Sequence, residues 1–319
     1  MKTLSLNFVL IIILLTTACS SAATTQSDAQ TSNSANSGQT KTSGKHDEEL
    51  QKQIEQIAEA AKGRVGVAAA VLETGESISL NQNERFPMQS VYKLPIGMAV
   101  LKEVDAGKIK LEERLRVEKS DFVRRGMHSP IRDKNPGGSE ASVEELLRLS
   151  VSESDGTASD VLFRLAGGAE AIGKFLGELK IDEMAVVNTE KEIGQDWETQ
   201  YRNWASPEGA IALLRALHER RGLSESSQAL LLKFLTDAST GPKRLKGLLP
   251  KGTIVAHKTG TSGTKNGITA ATNDIGIVTL PNGRHLAIAV FVSDSAADET
   301  TREEAIAKIA KAVWDKWSK

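Results

Sequence analysis

The sequence predicts a two-lobed α/β fold: an antiparallel sheet built from both chain ends plus an all-helical insertion. Three observations predict it. Apolar stretches that read as strands lie at residues 65–80 and return only after residue 253. Residues 90–236, between them, are mostly helical in pattern. The 319 residues are 39% hydrophobic, enough for a sizeable core, and Cys19 is the only cysteine, so packing and not disulfides must hold the fold. A cleft between the two lobes is the expected place for a site.

Residues 1–19 read as an export signal: Lys2, a short apolar run at 4–15, and small residues before Cys19. The run is too short for a membrane span. This end resembles a bacterial lipoprotein signal, in which Cys19 is lipidated after cleavage; the alternative is an ordinary signal cut near Ala22-Ala23. Residues 20–47 contain no Leu, Ile, Val or aromatic residue and are expected to form a flexible tether. The expected domain spans 48–319, with an α/β lobe at 48–88 and 242–319 and a helical lobe at 89–241.

Apolar residues at helical spacing (Leu50, Ile54, Ile57, Ala58, Ala61) predict a helix over 49–61. Strands follow at 65–72 and 77–80, with Thr74-Gly75 as the turn between them. Apolar faces predict helices at 143–151 and 157–165. Ser206-Pro207 is an N-cap followed by proline at the first helical position. Late strands are expected at 253–257, 275–280 and 286–292, the last two joined by Pro281-Asn282-Gly283. Asp298 caps a closing helix over 299–317.

Lys+Arg totals 40 and Asp+Glu 41, so no global field favours nucleic acid. The five histidines show no HxH or HxxxH spacing, so no metal site and no cofactor is expected.

Four polar constellations stand in order: Ser90-Val91-Tyr92-Lys93, Ser154-Asp155-Gly156, Glu190, and His257-Lys258-Thr259-Gly260. One helical turn sets the Lys93 amine beside the Ser90 hydroxyl, and a helix N-terminus favours developing negative charge there. A second S-x-x-K, Ser262 to Lys265, lies in a Gly-rich turn and lacks that helical context. Ser154, between two helices, can relay a proton between Lys93 and a leaving nitrogen. Lys258 ends a strand and adds positive charge, while Gly260 is expected to let a substrate backbone approach. Glu190 lies in a polar, irregular stretch; a carboxylate there can activate water, with Glu192 as a rival. Each motif alone is weak: a helix cap, a turn, a strand end and a surface acid explain them one by one. All four in order are much stronger.

From about residue 48 to 319 the chain resembles a class A serine β-lactamase. TAATNDIGIVTLPNG (269–283), VSESDGTA (151–158), HKTGTSG (257–263) and QYRNW (200–204) carry the resemblance, the last two toward a subgroup rich in extended-spectrum cephalosporinases. It implies the serine β-lactamase/transpeptidase-like fold. It also implies Ser90 as acylated nucleophile with Lys93 as partner, Ser154 as relay and Glu190 as activator of the deacylating water. Lys258, Thr259, Gly260 and Thr261 would form the substrate-binding strand, with Arg244 supporting the substrate carboxylate. The Ser90 and Thr261 N–H groups would form the oxyanion hole. The partner is a small β-lactam, with no nucleic acid, a membrane only through the Cys19 lipid, a monomeric state, and a periplasmic or outer-surface location.

Three departures stand out. Gly156 replaces the family's usual Asn, Gly194 replaces a residue that is usually Asn, and Lys191 stands where proline is frequent. Gln89 and Ser262 rule out the cysteine pair of some carbapenem-hydrolysing relatives. The competing readings are a DD-peptidase or penicillin-binding protein, which would lack the base at 190, and a β-lactam sensor that stays acylated.

Overall fold

A computed structural model describes residues 40–319. Cys19, the export signal and most of the expected tether lie outside the described residues. In chain order the elements are α1 (Thr40–Ala60), β1 (Arg64–Val71), β2 (Ser77–Leu80), β3 (Phe86–Pro87), α2 (Lys93–Asp105), β4 (Arg114–Val117), α3 (Pro130–Lys134) and β5 (Ser139–Ser142). Next come α4 (Val143–Ser152), α5 (Gly156–Leu165), α6 (Gly168–Glu178), β6 (Met184–Ala185), α7 (Glu190–Ile193), β7 (Trp204–Ala205), α8 (Pro207–His218) and α9 (Glu225–Thr236). The chain closes with β8 (Val255–Thr261), β9 (Thr264–Lys265), β10 (Ile268–Thr279), β11 (His285–Ser295) and α10 (Glu299–Trp317).

The main sheet has the order β2-β1-β11-β10-β8, so both chain ends supply it, and all its pairings are antiparallel. Its central strands are apolar on both faces because both faces are covered. Along β11, Ala287, Ala289 and Phe291 enter the core shared with the helical lobe. Leu286, Ile288, Val290 and Val292 alternate with them and enter a second core against α1 and α10. The second core is closed by Ile54 of α1 and Ile306, Ile309 and Val313 of α10, all fully buried. Each such side chain contributes roughly 1.5–3 kcal/mol of burial.

The helical lobe packs α2 against α4 and α5, and its apolar faces share the first core. The insertion also carries the β4–β5 pair and, with β3, the small sheet β3-β7-β6.

Several boundaries differ from the sequence expectation. α1 begins at Thr40, inside the expected tether, and a helix extends readily from packed turns such as those at Leu50 and Ile54. β8 runs through the Lys258-Thr259-Gly260 triplet rather than ending before it. β10 starts at Ile268, well ahead of the expected 275. Its polar Thr269 to Asp274 segment has weak strand propensity, but most of it is paired to β11 and in part to β8, and tertiary pairing overrides propensity.

Candidate active site

Ser90 sits in a 3₁₀ turn, Gln89–Tyr92, that feeds directly into α2. The turn is held from three sides. Asn273 Nδ2 of β10 donates to the carbonyls of Pro87 (2.8 Å) and Met88 (3.1 Å). The Met88 N–H donates to the Asn203 carbonyl at 2.9 Å. The buried Gln89 amide donates to Gln200 Oε1 at 2.7 Å. These contacts keep Gln89 at a left-handed φ of 49°, a conformation that costs a non-glycine residue on the order of 1–3 kcal/mol.

One helical turn on, Lys93 is 1% exposed. Its amine donates to Ser90 Oγ at 2.9 Å and to the Ser154 carbonyl at 2.8 Å. It lies 3.5 Å from Ser154 Oγ and 3.5 Å from Glu190 Oε2. Ser154 occupies the break between α4 and α5 with φ 60°. Beside it, the fully buried Asp155 caps α5 through Ala158 N and accepts from Ser129 Oγ and Ile131 N. Those donors make Asp155 a structural acid that fixes where Ser154 points.

From the sheet side, Lys258 donates to Ser154 Oγ at 3.0 Å. It is fully buried, and burial, then the nearby Lys93, pull its proton affinity well below that of an ordinary lysine. A continuous polar chain therefore runs Ser90–Lys93–Ser154–Lys258 across the two lobes.

Glu190 opens α7, a single turn and not the irregular stretch expected. Thr189 caps it, and Glu192 completes a reciprocal box with Thr189. Glu192 is therefore spent on the cap, which removes it as a rival. The Glu190 and Lys191 N–H groups both donate to the Asp160 carboxylate of α5, at 2.6 and 3.0 Å. Burial pushes the Asp160 carboxyl up to about 7, against those two N–H donors. Glu190 Oε2 accepts a hydrogen bond from the buried Tyr92 hydroxyl. Burial, then the Glu190 charge, hold Tyr92 well above the usual phenol range, so it stays a donor. Tyr92 and Asp160 were not anticipated from sequence.

The glycines that depart from the family pattern make space around this turn. A Cβ at Gly156 would lie 2.8 Å from Glu190 Cγ. A Cβ at Gly194 would lie 2.5 Å from Met127 Sδ, so Met127 occupies the room a larger residue would need. Lys191 reaches away to the Ser120 carbonyl.

The opposite wall is β8. Thr259 Oγ1 bonds Thr240 Oγ1 at 2.6 Å. Arg244, 3% exposed, donates to Thr261 Oγ1 at 2.8 Å and to the Asn273 carbonyl at 3.0 Å, and pairs with Glu303 at 3.1 Å. Gly260 departs from expectation. A Cβ there would strike the Met88 carbonyl at 2.2 Å, so the glycine lets β8 pack under the serine turn and does not face a substrate. His257 is fully buried and pairs with Asp274 at 2.9 Å behind the strand. Ser262 and Lys265 of the second S-x-x-K also line the cleft, but they do not pair with each other: Ser262 Oγ bonds the Gly263 carbonyl, and Lys265 lies over Trp197.

Ser90, Ser154, Glu190, Thr259, Thr261 and Arg244 line one cleft of about 730 Å³, with Lys93 and Lys258 buried behind it. A hydroxyl, two amines and a carboxylate meet at its floor.

The β-lactamase enzyme family matches residues 49–317. The chain belongs to this family and is a class A β-lactamase. It is 46% identical over 266 residues to the extended-spectrum β-lactamase PER-1 of Pseudomonas aeruginosa, covering 83% of this chain and 86% of the relative. It is 40% identical over 264 residues to β-lactamase VEB-1 of the same organism, covering 82% and 88%. Among solved structures, a β-lactamase from Chitinophaga pinensis DSM 2588 superposes with a TM-score of 0.82 at 45% identity, over 84% of this chain and 99% of that one. The TLA-1 extended-spectrum β-lactamase superposes at 0.83 and 43% identity, over 86% and 100%. This β-lactamase therefore hydrolyses β-lactams. No helix among the described residues is long and apolar enough to cross a membrane.

Proposed function

We propose that Ser90 attacks the lactam carbonyl and that its proton passes to the Lys93–Glu190 pair. The tetrahedral oxyanion is held by the Ser90 and Thr261 N–H groups. As the ring C–N bond breaks, Ser154 gives its proton to the departing nitrogen and is resupplied through Lys93 with the proton taken from Ser90, which leaves Glu190 a carboxylate. Glu190 then takes a proton from water, the hydroxide adds to the ester carbonyl, and that proton passes through Lys93 to Ser90 Oγ as it leaves. Thr259, Thr261, Lys258 and Arg244 hold the substrate carboxylate. The observation that carries this reading is the contact of one buried amine, Lys93, with both Ser90 Oγ at 2.9 Å and Glu190 Oε2 at 3.5 Å. A DD-peptidase would have no carboxylate there.

Two finer points belong to the same proposal. The enzyme favours cephalosporins, a reading supported by relatives whose names carry extended-spectrum activity. It is exported, tethered through a lipid on Cys19 by residues ahead of the domain, and works as a monomer. The test is hydrolysis of a chromogenic cephalosporin beside a penicillin and a carbapenem. Many turnovers per enzyme, fastest on the cephalosporin, are expected. One stoichiometric burst would assign a sensor instead, and palmitate labelling lost in Cys19→Ser tests the anchor.

A further inference from the structure

A second chemical cluster lies outside the cleft. Glu73 stands in the β1–β2 turn, His218 is the last residue of α8, and His285 is the first of β11. Glu73 Oε1 is 2.7 Å from His285 Nδ1 and 3.7 Å from His218 Nε2. One ligand atom from each of the three lies within 4.8 Å of the others, and the two imidazole rings are 4.6 Å apart. None of the three lines the catalytic cleft.

We propose that Glu73, His218 and His285 form a binding site for a divalent late first-row transition cation, with Zn²⁺ as its representative. Two imidazoles and one carboxylate are the donor set such ions prefer over Mg²⁺ or Ca²⁺, which favour oxygen ligands. Three protein ligands leave a fourth tetrahedral position to water. The carboxylate is already oriented: its other oxygen, Oε2, accepts the His285 backbone N–H at 2.9 Å. That is the supporting contact a metal ligand needs. α8, a helix of 12 residues, also ends at His218, so the negative end of its dipole faces the cluster and favours a cation. Two arginines near the cluster are turned to other partners: Arg215 to the Leu72 carbonyl at 3.0 Å and to Glu219 at 3.7 Å, and Arg284 to Glu76 at 3.3 Å. On binding, the cation replaces the His285–Glu73 hydrogen bond, and any Nδ1 proton moves to Nε2 or to solvent. The three ligands come from the first hairpin, the last hairpin and the helical lobe, so the ion would clip together three elements distant in sequence.

The test is thermal unfolding of the enzyme, purified without a histidine tag, with and without Zn²⁺, paired with Co²⁺ titration followed by visible absorption. At a hundredfold excess over its Kd, Zn²⁺ should raise the midpoint by about 5 °C. Co²⁺ should give ligand-field bands, and cephalosporin turnover should stay unchanged. His218→Ala and His285→Ala, both partly exposed positions, should each remove the shift and the bands. No shift at millimolar Zn²⁺ in the wild type would overturn the proposal, and so would an equal shift in either variant.

Discussion

On the Ser90 side of the cleft, Lys93 and Lys258 are 1% and 0% exposed and their contacts tie the two lobes together through Ser154. On the Glu190 side, a four-residue helix with no buried residue is held at Asp160, Tyr92 and the Ser120 carbonyl, in room left by Gly156. The amines of the first wall are fully buried, while the second wall is a single turn with no buried residue. Groups on the first make and break the ester bond, while groups on the second position a water. The rate of release is therefore the property that substitutions near the cleft tune most easily, while acylation is protected by the core.

The largest expected effect comes from Ser90→Ala, which should lower cephalosporin turnover by at least about 10⁴-fold, since a nucleophile acts as part of a unit. Residual turnover within tenfold of wild type would break the assignment of the first wall. Glu190→Ala should cost about 10²–10⁴-fold in kcat through loss of the general base, with release slowed more than acylation, for which Lys93 still accepts the Ser90 proton. Gly156→Asn introduces the residue that the family resemblance led one to expect, yet it should harm this enzyme. Its Cβ would crowd Glu190 Cγ, and a displacement near 1 Å costs about 10²-fold. Pre-steady-state kinetics should show a burst that the wild type lacks. Gly194→Asn should cost less, because Met127 is a flexible neighbour, and Met127→Ala in the same chain should restore the loss.

The smallest effect is on the pH dependence of stability. Burial raises the Asp160 carboxyl from 3.8 to about 7, so between those values the folded enzyme keeps a proton the unfolded chain has released. That stabilisation is complete below the unfolded pKa and is lost as pH rises through 7. Asp160→Asn cannot titrate. The midpoint of the variant minus that of the wild type should therefore become more positive from about pH 5 to about pH 8. A difference that shrinks over that range would mean the two N–H donors outweigh burial.

What the sequence made legible follows the same division. Ser90 and Lys93 are a helical turn apart, so their contact is local and readable. Apolar runs likewise marked β1, β2 and β11, and caps at Ser206 and Asp298 marked α8 and α10. The polar half of β10 was not readable, because its burial comes from neighbours on both sides. Tyr92 resembled another core aromatic, and its tie to Glu190 spans the lobe. Asp160 did leave a signal: an acid among the apolar residues of α5 needs a partner, and its partners are two backbone N–H groups. Gly260 was misread because its neighbour, the Met88 carbonyl, is distant in sequence. The Glu73, His218 and His285 cluster is invisible to spacing rules for the same reason.

The division between a buried acylation wall and a less buried release wall is tested most directly by intact-mass measurement of wild type and Glu190→Ala mixed with a cephalosporin. The wild type should return to its unmodified mass once substrate is consumed, while the variant should retain one acyl adduct that maps to Ser90. A variant that sheds the adduct as fast as the wild type, or carries it on another residue, would contradict the division.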